Sequence, residues 1–116
     1  MKVLIILNDA PYGSERVYNA LRLAEVLLKL EEDLELTVFL LGDAVLAAKT
    51  GQTTPQGYYN VGRMLAPIVR RGLVLCCETC MDARGLAVPD LLEGCRRARL
   101  GELGALTLDA DKVLTF

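Results

Sequence analysis

Met1-Lys2-Val3-Leu4-Ile5-Ile6-Leu7-Asn8-Asp9-Ala10-Pro11-Tyr12-Gly13-Ser14-Glu15 opens the chain, and its reading decides the fold class. Val3 to Leu7 is a continuous apolar run rich in β-branched residues, which suits a central parallel strand covered on both faces. Asn8 to Gly13 holds Asn, Asp, Pro and Gly, so the strand ends in a loop. Ser14, with Glu15 behind it, predicts a helix start, because a Ser side chain there accepts an orphan backbone N–H. The helix runs to about Leu30, with Val17, Ala20, Leu21, Ala24, Leu27 and Leu28 on one stripe of helical spacing. Leu23, Val26 and Leu30 widen that stripe, so the helix is expected to be covered on more than one side.

The same alternation continues. Glu31-Glu32-Asp33 is an acidic break, and Leu36 to Leu41 is the second strand. Gly42-Asp43 turns into a short helix over Ala44 to Lys49, which Gly51 could end. Gln52 to Tyr59 is polar and is the longest loop. Asn60 caps a helix reaching about Arg71, stopped by Gly72 and kinked by Pro67. Leu73 to Cys76 is the third strand. Cys77 to Val88 reads as a loop with one helical turn, Pro89 to Gly94 as a short helix and Cys95 to Ala98 as a short fourth strand. Leu100 to Leu108 is helical, and Val113 to Phe116 is the last strand. Strand–helix alternation implies an α/β fold, a mostly parallel sheet with helices on both faces. Ligands of such sheets sit outside the carboxyl ends of the strands. Asn8 to Glu15, Leu41 to Ala44 and Cys76 to Gly85 are thereby expected to meet.

Composition narrows the function. The 116 residues are one domain's worth of chain. The absence of His excludes a His-based triad, relay or metal site. A net charge of −2 excludes recognition of nucleic acid through a basic field. The Val3 to Leu7 run is shorter than the roughly 7–15 residues of a signal-peptide core. No run approaches the roughly 18 apolar residues of a membrane span. The chain therefore reads as soluble and cytoplasmic, where its four Cys are expected as thiols. There are 23 Leu, an apolar excess large enough to suggest surface turned toward another subunit.

Chemistry concentrates in Cys76-Cys77-Glu78-Thr79-Cys80-Met81-Asp82-Ala83-Arg84-Gly85. A Cys at the end of a strand can meet backbone N–H groups of the following turn, which favour the thiolate. Arg84 is a nearby permanent cation able to do the same or to hold an anionic group. Cys76 continues the apolar third strand and, like Cys95, reads as core. Cys77-Glu78-Thr79-Cys80 allows three readings. One is a dithiol redox pair, although no aromatic precedes the motif and no helix clearly begins inside it. One is a zinc site with Cys76 and Cys95, which lacks a second C-x-x-C and places ligands side by side. The third is a nucleophile with a resolving neighbour. Gly13 and Ser14 lead into a helix N-terminus, which is either an anion site or simply a capped helix. Nucleotide-binding fingerprints are absent, and no cofactor or metal is expected. Tyr58-Tyr59 reads as a ligand lid or an oligomer contact.

Several stretches together carry a resemblance. They are Asn8 with Ala10-Pro11-Tyr12-Gly13-Ser14-Glu15, Leu21-Arg22-Leu23-Ala24, Phe39-Leu40 with Asp43-Ala44-Val45, and Gly57-Tyr58 with Asn60. Cys77-x-Thr79-Cys80-x-Asp82-x-Arg84-Gly85 and Ala110-Asp111-Lys112-Val113-Leu114-Thr115-Phe116 complete the set. Over essentially its whole length the chain resembles the DsrE/DsrF-like family, in particular its small bacterial YchN-type members. The resemblance implies a three-layer α/β/α fold with a five-stranded sheet. It also implies a homo-oligomer, usually a homohexamer built as a trimer of dimers, and a link to intracellular sulfur relay.

In TusD-type relatives the persulfide-bearing Cys lies seven residues before the Arg of an Arg-Gly pair, a position that falls here on Cys77. Cys80 has no counterpart in that pattern. Cys76 directly before Cys77, and Pro67, depart from the YchN type. The expected site is therefore Cys77, Cys80 and Arg84 for chemistry, with Asn8, Tyr12, Gly13, Ser14 and Gly85 for binding. Three functions compete: a sulfur-relay protein, a non-catalytic oligomer binding a small anion in the strand-end crevice, and a Cys77/Cys80 redox sensor. Sulfur donor and acceptor proteins are the expected partners beside the chain itself.

Overall fold

The structure, a computed structural model, describes residues 1–54 and 59–116. Tyr58 lies outside the described residues. Five strands form one sheet: β1 (Lys2–Leu7), β2 (Glu35–Leu40), β3 (Leu73–Cys77), β4 (Cys95–Ala98) and β5 (Lys112–Thr115). Their order is β4-β3-β2-β1-β5, and all four pairings are parallel. The chain steps outward from β1 to β4 and then returns across the sheet to place β5 beside β1. Strands Val3 to Leu7 and Leu36 to Leu40 are apolar at nearly every position because they lie centrally, with a strand on either side and cover above and below.

Right-handed crossovers put α1 (Arg16–Leu30) and α2 (Val61–Arg71) on one face of the sheet, packed against each other. The return crossover puts α4 (Leu100–Asp109) on the other face, against β1. This is the three-layer α/β/α architecture. Strand pleating assigns the side chains: Val3, Ile5, Leu36, Val38, Val74 and Cys76 point to the α1/α2 face. Leu4, Ile6, Phe39, Leu75 and Cys77 point to the α4 face. A five-stranded sheet is too broad for one ten-residue helix to cover. The row Val113–Leu4–Thr37–Leu73 crosses four strands on that face, and its outer members stay 40% and 42% exposed.

Several elements differ from their sequence expectation. Helix α1 starts at Arg16, with Glu15 rather than Ser14 in the capping position and no side-chain cap bond. The Ser14 hydroxyl donates to Asp9 Oδ2 at 3.0 Å, and the Glu15 carboxylate accepts from the Tyr59 hydroxyl at 2.6 Å. Ser14 Oγ also accepts from Arg16 N at 3.4 Å, so Ser14 takes up an orphan N–H of the first turn as expected, from just outside the capping position, while the Glu15 side chain is engaged by Tyr59. The expected Ala44 to Lys49 helix is a 3-10 segment, Gly42–Ala48, with Ala44, Val45, Ala47 and Ala48 all buried. Burial on that many sides replaces a 3.6-residue stripe. The Pro89 to Gly94 helix shrinks to a single 3-10 turn at Val88–Asp90, because Leu91 pairs with Lys49 in an isolated bridge. The one helical turn expected between Cys77 and Val88 is α3 (Glu78–Asp82), and it begins inside the C-x-x-C, where the residues gave no clear helix start. Five residues are too few to show a periodic pattern.

The fourth strand forms as expected, and Asn60 caps α2 by accepting from Arg63 N at 3.1 Å. Helix α2 continues through Pro67 and ends before Gly72. A Cβ at Gly72 would lie 2.5 Å from the Leu36 carbonyl oxygen, so only glycine lets β3 start this close to β2. Among the described residues no helix is long and apolar enough to cross a membrane.

Candidate functional site

The loops after β1, β2 and β3 converge where the parallel fold requires. Leu41 N donates to Leu7 O at 2.8 Å, which sets the start of the β2 loop beside the end of β1. Gly42 follows with φ +56, a conformation that suits glycine, and a Cβ there would lie 3.4 Å from the Asn8 carbonyl oxygen. The Gly42 N–H faces the Cys80 thiol. Asn8 itself is tied to the carboxyl terminus: its backbone N–H donates to Phe116 O at 3.0 Å and its side chain reaches the same oxygen at 3.5 Å. Asn8, Gly42 and Cys80 are therefore neighbours.

Cys76 and Cys77 are adjacent in sequence and opposite in environment. The pleat sends Cys76 under α1 and α2, where burial pushes its thiol up to about 12. Cys95, also buried, is pushed up to about 11 by desolvation. Both are core residues, as the sequence implied. Cys77 faces the other way and stands at the start of α3, 3% exposed. Burial pushes its thiol up too, but the Cys80 thiol, the Thr79 hydroxyl and the backbone N–H groups of Cys80 and Thr79 outweigh it. The Cys77 thiol is held below its ordinary value. The Thr79 hydroxyl oxygen lies 3.4 Å from the Cys77 sulfur. The turn's N–H groups act on the thiol as expected, and Thr79 and Cys80 take the part expected of Arg84.

Cys80 is half-buried and lies against Cys77. Its own thiol is raised, first by burial and then by the neighbouring Cys77, with the Gly42 N–H acting in the opposite sense. Arg84 binds the backbone around this pair. Its Nη1 donates to the Cys80 carbonyl at 2.9 Å and its Nε to Asp43 Oδ1 at 2.9 Å. Arg84 thus holds the β3 and β2 loops together through polar groups. Gly85 follows in a left-handed turn, its N–H donating to Asp82 O at 3.2 Å.

Tyr12, Gly13 and Ser14 lie in the β1 loop, and the side-chain bonds of Tyr12 and Ser14 run to the start of α2 and to Asp9 rather than to the cysteine turn. The Tyr12 hydroxyl accepts from Val61 N at 3.4 Å, at the start of α2. Gly13 turns through φ +111, and Ser14 bonds Asp9. Tyr59 stacks on Tyr18 at 4.5 Å between ring centroids and bonds Glu15, so it clamps the 59–60 segment to α1.

A second charged group was missed in the sequence. Arg97 on β4 forks the Asp82 carboxylate at 2.8 and 2.9 Å and lies 3.5 Å from Glu78, bracing α3 from its outer side. Nothing in sequence spacing joins Asp82 to Arg97, because only the β3–β4 pairing brings them together. Among the described residues no group of three His, Cys, Asp or Glu is placed to hold a metal ion.

The profile of the DsrE/DsrF-like family matches residues 1–116. This chain belongs to the DsrE/DsrF-like family. It is 45% identical to Protein YchN of Escherichia coli over 116 residues, covering 99% of this chain and 98% of that one. It is 40% identical over 117 residues to an uncharacterized protein of Methanocaldococcus jannaschii, each covered in full. The crystal structure of the Escherichia coli YchN protein superposes with a TM-score of 0.95 at 44% identity, covering 100% of this chain and 99% of that one. A protein of unknown function from Methanobacterium thermoautotrophicum shares the fold alone, with a TM-score of 0.81 at 14% identity over 99% and 98% of the two chains. The DsrE/DsrF-like family is associated in general with sulfur relay.

Proposed function

We propose that this DsrE/DsrF-like protein is a sulfur carrier that holds sulfane sulfur on Cys77. The Cys77 thiolate attacks the outer sulfur of a donor persulfide. The donor's S–S bond breaks, its thiolate leaves, and Cys77 becomes a persulfide with no net change of oxidation state. Passing the sulfur to an acceptor thiolate is the same step reversed. One observation carries this reading: Cys77 is the thiol at a strand's carboxyl end whose surroundings favour the anion, while Cys76, Cys80 and Cys95 are all pushed the other way. The thiolate is the nucleophile, so a lowered thiol at neutral pH is the reactive one. Arg84 acts as a positioning residue, holding the Cys80 backbone that faces the sulfur.

The carrier works as a homo-oligomer, with a hexamer arranged as a trimer of dimers the expected assembly. Helix α4 supports this. It is apolar on nearly every side, yet Leu100 is 65% and Leu108 91% exposed in the single chain. A helix apolar all round is normally a buried one. The exposed Leu73 and Val113 border it on the same face of the sheet.

Intact-mass measurement tests the chemistry. Treatment with a persulfide donor should add one sulfur atom to the wild type and none to Cys77→Ser. An unchanged wild-type mass would overturn the carrier reading.

A further inference from the structure

The sulfur-carrier reading gives no role to Cys80, the half-buried thiol set against Cys77. Three features define its place. It is the third residue of the turn that Cys77 opens, the C-x-x-C placement in which dithiol oxidoreductases close a disulfide. Its carbonyl is fixed by Arg84 at 2.9 Å, and that Arg is anchored on Asp43. It is also the more exposed of the two, since Cys77 is buried and Cys80 is not. The other free thiols, Cys76 and Cys95, are buried on strands that end this side of the turn.

We infer that Cys80 is a resolving thiol, which discharges the Cys77 persulfide as hydrogen sulfide by closing a Cys77–Cys80 disulfide. The inference rests on the carrier reading. The Cys80 sulfur attacks the Cys77 Sγ, and a new S–S bond forms. The bond between Cys77 Sγ and the outer sulfur breaks, and the outer sulfur departs with that electron pair. The Cys80 proton goes to the departing sulfur, so one persulfide and one thiol yield one disulfide and one hydrogen sulfide. The sulfane sulfur is reduced and the thiol pair oxidised, with no outside oxidant. A dithiol reductant then supplies two electrons and two protons to restore both thiols. The protein on this scheme is a reductive outlet for sulfane sulfur as well as a carrier, and the disulfide marks each discharge.

The test is single-turnover mass analysis without oxygen. Wild type, Cys80→Ser, Cys80→Ala and Cys77→Ser are reduced, exposed briefly to inorganic polysulfide, freed of it by gel filtration and weighed intact. Far-ultraviolet circular dichroism checks that each is folded. Wild type should end two hydrogens lighter than its reduced form and regain that mass with a dithiol reductant. Both Cys80 variants should stay one sulfur heavier, and Cys77→Ser should stay unchanged. A wild type that keeps its extra sulfur as stably as the Cys80 variants overturns the resolving role and leaves the carrier reading standing. Cys80 variants that never gain sulfur overturn both.

Discussion

Arg84 Nε donates to Asp43 Oδ1 at 2.9 Å and so fastens the loop after β3 to the loop after β2. The same guanidinium reaches the Cys80 carbonyl, which makes Arg84 a brace for the cysteine turn. In the sequence Arg84 looked like a counter-charge for a thiolate. In the structure the Cys77 anion is favoured by its own turn, through Cys80 and Thr79.

Arg84→Ala should therefore cost stability more than thiolate character. Hydrogen bonds to charged groups contribute about 1.5–3 kcal/mol each, less where partly exposed as here. Loss of about 1–2 kcal/mol is expected from urea unfolding. The pH midpoint of Cys77 alkylation should move less in Arg84→Ala than in Cys80→Ser. A larger shift in Arg84→Ala would mean that its charge acts on the sulfur directly.

The thiols should separate in a pH titration. Cys77 is held below the ordinary thiol value, so its alkylation should rise at lower pH than that of the unfolded chain. Its contribution to stability is present above the unfolded value and is lost as pH falls through the folded one. Cys76 and Cys95 have the opposite sign. They are pushed up to about 12 and about 11, so the fold loses stability as pH rises from the ordinary thiol range of about 8.5 toward those values. The loss approaches about 1.4 kcal/mol per pH unit for each thiol. Cys76→Ala should flatten part of that alkaline slope in denaturation measured from pH 8 upward. An unaltered slope would show that Cys76 is not the group responsible.

Gly72→Ala should destabilise strongly although the added group is one methyl. Its Cβ would stand 2.5 Å from the Leu36 carbonyl oxygen, a backbone atom that cannot swing aside. Overpacking of this kind costs about 1–3 kcal/mol. Gly101→Ala, which meets nothing within 4 Å, is the matched control and should be neutral or slightly stabilising. Equal thermal midpoints for the two variants would contradict the packing argument.

Leu108→Glu should leave the fold of each chain intact and weaken assembly. The side chain is 91% exposed, so the charge meets water within a single chain. In an apolar contact between copies it would be desolvated without a partner. Light scattering at matched concentration should show a smaller particle than the wild type, with unchanged circular dichroism. An unchanged particle mass would place the contact away from α4.

The α/β class and the parallel sheet follow from the residues one after another. Val3 to Leu7 is apolar throughout and Leu36 to Leu40 at every position but Thr37, which a strand needs only when both of its faces are covered. The strand-end cluster was legible for the same reason, since a parallel sheet brings its carboxyl-end loops to one edge. Local sequence already favoured Cys77, because Cys76 extends the apolar third strand while Cys77 opens a polar stretch. The pleat of β3 separates the two, turning one thiol under α1 and α2 and the other toward the turn. Spacing could not reveal the Arg97–Asp82 brace, the Ser14–Asp9 bond or the hold of Tyr59 on Glu15. Those bonds join groups that only strand pairing and loop packing bring within reach. Sequence by itself set the alternation of elements and the stock of thiols, because burial periodicity is a local property. Tertiary structure decided which thiol becomes the anion, because desolvation and the direction of N–H groups depend on what folds around the sulfur.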